Sequence, residues 1–326
     1  MHRKSIPVCV FLIIIFVFSF IGCSFQSSGS PSQKNAGTDQ AAGEGKADKK
    51  KVEQHRATVH SCLVPEASGT VTYGNEVVSI DASNTAEGYV MVRYQGESSK
   101  VRLQITVPDQ TTYTYTLASS GSYETFPLSE GDGSYKLDIL ENAYDDMYAL
   151  AFSQDIQVTL KDEFKPFLYP NQYAWFTKDD EVVAYGIEIS DNAVDDLDYV
   201  EQIYLFVIGN VVYDDQLAAT VTSGYLPDVD VTLRTRKGIC FDYASLMVAF
   251  LRSQGIPTKL QIGYSGDAYH AWISVYLTQV GWVDDIIEFD GKSWSLMDPT
   301  LAAGNSRSSL KKYIGDGSNY TVKYLY

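Results

Sequence analysis

Cysteine is scarce in this chain of 326 residues: the four are Cys9, Cys23, Cys62 and Cys240. Two of them fall within or at the end of an apolar N-terminal stretch. That leaves Cys62 and Cys240 for the folded part, too few for a disulfide framework. Histidine is just as rare, and His270 is the only one C-terminal to His60. Positive charge is also short, with 25 Lys and Arg against 41 Asp and Glu, a net charge of -16. Residues 1–61 hold eight basic and four acidic residues, so the rest carries 17 and 37, a net -20. So acidic a surface repels phosphate backbones, which excludes nucleic acid as a partner and disfavours direct adsorption to an anionic bilayer. Helical segments of Lys/Glu-rich periodicity are few, whereas 24 tyrosines favour strands.

What is present begins with an export signal. His2, Arg3 and Lys4 form a basic start, and Val8 to Ile21 is apolar but short for a membrane span. It ends at Ile21-Gly22-Cys23-Ser24, which resembles the lipobox of bacterial lipoproteins. The resemblance implies a signal over 1–23, lipid on Cys23, and attachment to the outer face of the cell membrane. A cleaved signal with an incidental Cys23, or an uncleaved anchor, are alternative readings of the same residues. Each of the three puts the remainder outside the cytoplasmic membrane.

Residues 24–61 are rich in Ser, Gly, Ala, Gln and Lys and read as a flexible tether. Period-two alternation follows in Tyr89–Tyr94, Val101–Val107, Tyr113–Leu117, Ser134–Leu140 and Asp155–Leu160, with Ser/Gly turn clusters between. Residues 62–165 are therefore expected to form an antiparallel β-sandwich. The proline-bracketed Pro166-Phe167-Leu168-Tyr169-Pro170 opens a connecting segment over 166–194. A second domain over 195–326 starts with a helix, in which Leu197, Val200, Tyr204, Val207 and Ile208 recur at helical spacing.

Gly238-Ile239-Cys240 opens another helix, reaching about Gln254, with Ala244, Met247, Val248 and Leu251 as its apolar stripe and Gly255 as its cap. Cys240 falls at the first turn, outside the stripe. Unpaired N–H groups there favour a thiolate, the reactive form of the residue. A strand over Thr258–Tyr264 is followed by one starting at His270-Ala271-Trp272, and a third, Ser293–Met297, ends at Asp298-Pro299-Thr300. The set supplies a thiol, an imidazole to take its proton and a carboxylate to orient the imidazole. Taken singly, each has a plain structural alternative: packing for the Cys, a satisfied core group for the His, and a turn for the Asp.

The run GICFDYASLMVAFLRSQGIPTKLQIGY, with YHAWISVYL and SWSLMDPT after it, resembles the core of the transglutaminase-like superfamily over about Asp195 to Gly304. The resemblance implies an α+β papain-like fold, in which a central helix carrying the nucleophile packs on an antiparallel sheet. It assigns Cys240 as nucleophile, His270 as general base and acid, Asp298 as orienting acid, and Trp272 to packing. An oxyanion hole would use the Cys240 N–H and a donor from upstream, with Tyr213 and Tyr225 as candidates. No cofactor is implied. The pairs Asp195-Asp196, Asp214-Asp215 and Asp284-Asp285 lack calcium-loop spacing, and further Cys or His ligands for a metal are absent. The expected substrate is an amide in a protein, peptide or cell-wall component, with hydrolysis and transfer both open. The alternatives are a non-catalytic envelope protein that uses the groove for binding or scaffolding, and a tethered adhesin whose β-domain does the work.

Overall fold

The computed structural model describes residues 55–265, 267–283, 288–289, 294–295 and 320–326. Residues Val52–Tyr326 form one compact unit. Its first part is all strand. Strands β1 (Thr72–Gly74), β2 (Val78–Asp81), β3 (Tyr89–Tyr94) and β6 (Glu124–Pro127) make one antiparallel sheet in the order β1-β2-β3-β6. Strands β4 (Val101–Thr106), β5 (Thr112–Leu117), β7 (Gly133–Tyr144) and β8 (Met147–Val158) make a second, ordered β5-β4-β7-β8. The alternation legible in the sequence is what closes the sandwich. Val101, Leu103 and Ile105 of β4, Tyr113, Tyr115 and Leu117 of β5, and Tyr135, Leu137 and Ile139 of β7 are all buried. The Tyr115 ring meets Phe126 of the other sheet at 4.8 Å. Each such side chain taken from water stabilises the fold by roughly 1.5–3 kcal/mol.

The second part alternates helix and strand. Helices α1 (Glu181–Ser190), α2 (Asp196–Asn210), α3 (Asp215–Thr220), α4 (Val229–Thr235) and α5 (Cys240–Ser253) come with the short parallel pair β9 (Val212–Tyr213) and β10 (Lys237–Gly238). Strands β11 (Thr258–Ser265), β12 (Ala268–Leu277), β13 (Gly281–Val283) and β16 (Tyr320–Leu325) form an antiparallel sheet in the order β13-β12-β11-β16. A two-strand pair, β14 (Glu288–Phe289) and β15 (Trp294–Ser295), stands between β13 and β16 in the chain. Helix α5 is the centre, packed by α1, α2, α4, β11 and β12. Its expected stripe is buried, and so are Tyr243, Leu246 and Phe250 on the other side, because helices cover that face too. Gly255 ends it with φ 76, while the N–H groups of Gly255 and Ile256 return to the Arg252 and Leu251 carbonyls. The fold is α+β, with a β-rich region preceding the helix-on-sheet core.

Two places differ from the sequence expectation. Helix α1 lies inside the segment read as a connection, where Val182, Val183 and Gly186 pack inward. The last residues read as tether are held in place. The Arg56 guanidinium donates to Asp196 Oδ1 at 2.7 Å and Ser190 Oγ at 2.7 Å, and the Val59 N–H donates to Gln254 Oε1 at 3.0 Å. Composition marks a segment as unable to build a core; it does not show one charged side chain that a core can bind.

An aromatic seam joins the two parts. Tyr326 places its ring 5.5 Å from Tyr113, 5.8 Å from Tyr115 and 4.6 Å from Tyr173. Tyr173 reaches on to Phe241 at 5.4 Å, the residue after Cys240. The sandwich and the connection thus border the start of α5.

Candidate active site

Cys240 is the first residue of α5, after Ile239 in extended conformation at φ -97 and ψ 178. Its thiol is free and half-buried, and Cys62 is likewise free, so the two form no disulfide. On the opposite side, His270 lies on β12 directly across from Gly263 of β11. Among the described residues strand β13 pairs with Val275 to Leu277, β12 packs against α5, and the backbone amide of Ala271, the residue after His270, lies near enough to favour the Cys240 thiolate. Helix start and strand are thereby brought together, with the sulfur beside the histidine's own stretch of backbone. The His270 ring is half-buried and lies 6.2 Å from the Trp272 ring at an interplanar angle of 22°. Trp272 is itself buried and supports the imidazole from one side.

The electrostatics differ from the sequence expectation. Burial pushes the Cys240 thiol above its ordinary value and outweighs the N–H groups of Ala271, Phe241 and Cys240 itself, while nearby Asp242 pushes the same way as burial. Left to itself the residue is a thiol, so a reaction at neutral pH needs a base.

Asp242 is a residue that the sequence reading passed over. It is 1% exposed, two positions beyond Cys240. Its Oδ2 accepts the Ile239 N–H at 2.8 Å and its Oδ1 accepts the Tyr225 hydroxyl at 2.7 Å. Burial is the main cause that raises this carboxyl, aided by Asp214, and its two donors oppose the rise. The signal available in the sequence was an acid at the third helical position, where it can cap the helix start.

The two oxyanion candidates are placed differently. Tyr213 sits on β9 opposite Gly238 of β10, two residues before Cys240, and its ring lies 6.5 Å from that of Tyr243. Burial, and after it the nearby Cys240, raise its hydroxyl, which stays protonated and able to donate. The Tyr225 hydroxyl gives its one proton to Asp242. Asp298 and Cys23 lie outside the described residues. Among the described residues no group of three His, Cys, Asp or Glu side chains is placed to hold a metal ion.

Residues 183–286, about a third of the chain, match the family model described as the transglutaminase-like superfamily core. Cys240 and His270 fall inside the match and Asp298 beyond it. Solved structures with similar folds include a candidate cysteine protease from Cytophaga hutchinsonii, at 15% identity over 60% of this chain and 77% of that one, with a TM-score of 0.32. Another is the periplasmic domain of TgpA from Pseudomonas aeruginosa, at 16% identity over 67% and 94%, with a TM-score of 0.28. Red sea bream transglutaminase matches at 13% identity over 65% and 48%, with a TM-score of 0.27. A search of curated proteins found no match.

Proposed function

We propose that the chain is an extracytoplasmic thiol enzyme, tethered to the membrane by lipid on Cys23, that acts on amide bonds through an acyl-enzyme on Cys240. The observation that carries this is the packing of α5 on β12, with the Ala271 backbone amide near enough to the Cys240 thiol to act on it, which puts the thiol next to the strand bearing His270. In this reading His270 takes the thiol proton and the sulfur attacks the amide carbon, forming the S–C bond. The carbonyl electrons move to oxygen, where the Cys240 N–H and the Tyr213 hydroxyl would donate. As they return, the C–N bond breaks and His270 hands its proton to the departing amine. Water or a second amine then takes the acyl group and frees the thiol. Asp298 has the role the family resemblance gives it, orienting the imidazole.

The raised thiol supports a base-dependent mechanism over a permanently ionised cysteine. Mass spectrometry of the membrane-extracted protein, incubated with peptide and cell-wall fragments, tests the proposal. The expected result is an acyl adduct on the peptide containing Cys240, lost in Cys240→Ala, and a lipid mass on Cys23 in the same digest. No adduct from any amide, together with an alkylation rate at Cys240 that His270→Ala leaves unchanged, would defeat the enzymatic reading in favour of a binding role. An N-terminal peptide lacking lipid would remove the anchor.

A further inference from the structure

The first turn of α5 is organised around a buried carboxylate. Asp242 reaches back to the Ile239 N–H at 2.8 Å, and so holds the residue whose carbonyl forms the peptide bond to Cys240. Its other oxygen receives the Tyr225 hydroxyl at 2.7 Å, from the loop between α3 and α4. Gly238 makes room for this: a Cβ there would fall 2.5 Å from Asp242 Cβ and 2.9 Å from Oδ2, closer than real side chains approach. A carboxylate that only capped a helix would not need a glycine beneath it and a phenol above it. The groups around it are Tyr213 on β9, Asp214 at the start of α3 with Lys237 of β10 at 2.9 Å from its Oδ2, Tyr225 from the loop, and Cys240 on α5 itself. His270 lies on β12, the strand that packs against α5.

We propose that Asp242 is the positioning residue of the Cys240 site: bridged between Ile239 and Tyr225, it sets the direction of the thiol and places a carboxylate beside it. This rests on reading Cys240 as the nucleophile and His270 as its base. Burial is the main cause that holds the thiol protonated, and the nearby negative charge adds to it by disfavouring a second one on sulfur. Such a device keeps an exported thiol from oxidising or alkylating at rest, because the thiolate is the reactive form.

Iodoacetamide alkylation of the full chain between pH 5 and pH 10, with the adduct counted on the Cys240 peptide, tests it. Asp242→Asn keeps the shape and an acceptor for Ile239 but removes the charge. The midpoint of its profile is expected to fall. Tyr225→Phe leaves the charge but takes away a donor, so Asp242 takes up a proton more readily. Its alkylation is expected to run faster than the parent's at the acid end and match it at pH 9. A folded Asp242→Asn protein with the parent's midpoint overturns the proposal. So does a Tyr225→Phe profile that superimposes on the parent's, whether or not Asp242→Asn folds. Alkylation requires only a thiolate, so these comparisons stay readable if no amide substrate is ever turned over. An unchanged profile in His270→Ala would instead remove the base assignment and leave the Asp242 result to stand or fall by itself.

Discussion

The two ends of α5 put buried polar groups to opposite uses. At the N-terminal end the helix begins with a half-buried thiol, and the carboxylate behind it is tied to a loop tyrosine and a backbone N–H. At the C-terminal end Arg252, 1% exposed, gives its protons to backbone carbonyls. Thr258 accepts two bonds at 2.9 and 2.7 Å, Tyr169 one at 2.8 Å and Tyr326 one at 2.8 Å. One side chain thereby ties the helix to the connection, to the start of β11 and to the residue after β16. A cation there also suits the carbonyl end of a helix. The comparison teaches that the end holding the architecture is separate from the end holding the proposed nucleophile. The chemistry can be altered without loosening the frame.

The largest effect is therefore expected at the C-terminal end. Arg252→Met fills the volume but leaves two carbonyls, those of Thr258 and Tyr169, without their Arg252 donor, while the Tyr326 oxygen keeps the Leu260 N–H at 2.8 Å. At about 1–3 kcal/mol for each unsatisfied group, the loss should be about 2 kcal/mol or more, read as a large fall in the thermal midpoint. A fall no larger than that of an ordinary surface substitution would erase the distinction between the two ends.

How much of this was legible beforehand follows from the range of the interactions. The strands of the sandwich and the span of α5 show in the sequence because alternation and helical spacing are local patterns. Cys240 showed because it stands just outside the apolar stripe of its helix, and His270 because it has no rival. Asp242 did not, since its meaning depends on Tyr225, 17 residues earlier, folding back over it. The thiol's ionisation was misjudged for a related reason. The N–H groups at a helix start can be read from the sequence, but burial of the thiol in the fold cannot, and burial wins. Helix α1 was lost behind the prolines that precede it, and Asp298 lies outside the described residues. The grip of Arg56 on Ser190, Asp196 and Gln254 spans more than 130 positions, beyond any local pattern.

That grip supplies the intermediate prediction. Arg56 lies over the Tyr199 ring at 5.0 Å as well as donating to Asp196, Ser190 and Gln254. Asp196 is partly exposed, with 42% of its side chain accessible, so solvent screens the ion pair and the neutral hydrogen bonds should dominate. Arg56→Ala should cost about 1–2 kcal/mol and expose residues 55–60 to limited proteolysis. Both changes should leave alkylation at Cys240 as it was, since the clasp lies at the far end of α5. A shift in that rate would mean that the two ends communicate.

The smallest change in stability belongs to the reactive end. Cys240→Ser exchanges a half-buried sulfur for a smaller oxygen at a helix start, where a hydroxyl is well tolerated. The thermal midpoint should move by no more than a surface substitution would, within about 0.5 kcal/mol. Under the same conditions the alkylated and acylated forms of this position should vanish, because a hydroxyl so placed is a far weaker nucleophile than a thiol. A midpoint that fell by as much as in Arg252→Met would show the thiol to be part of the frame, packed against Ala271 for stability, and the contrast between the two ends of α5 would disappear with it.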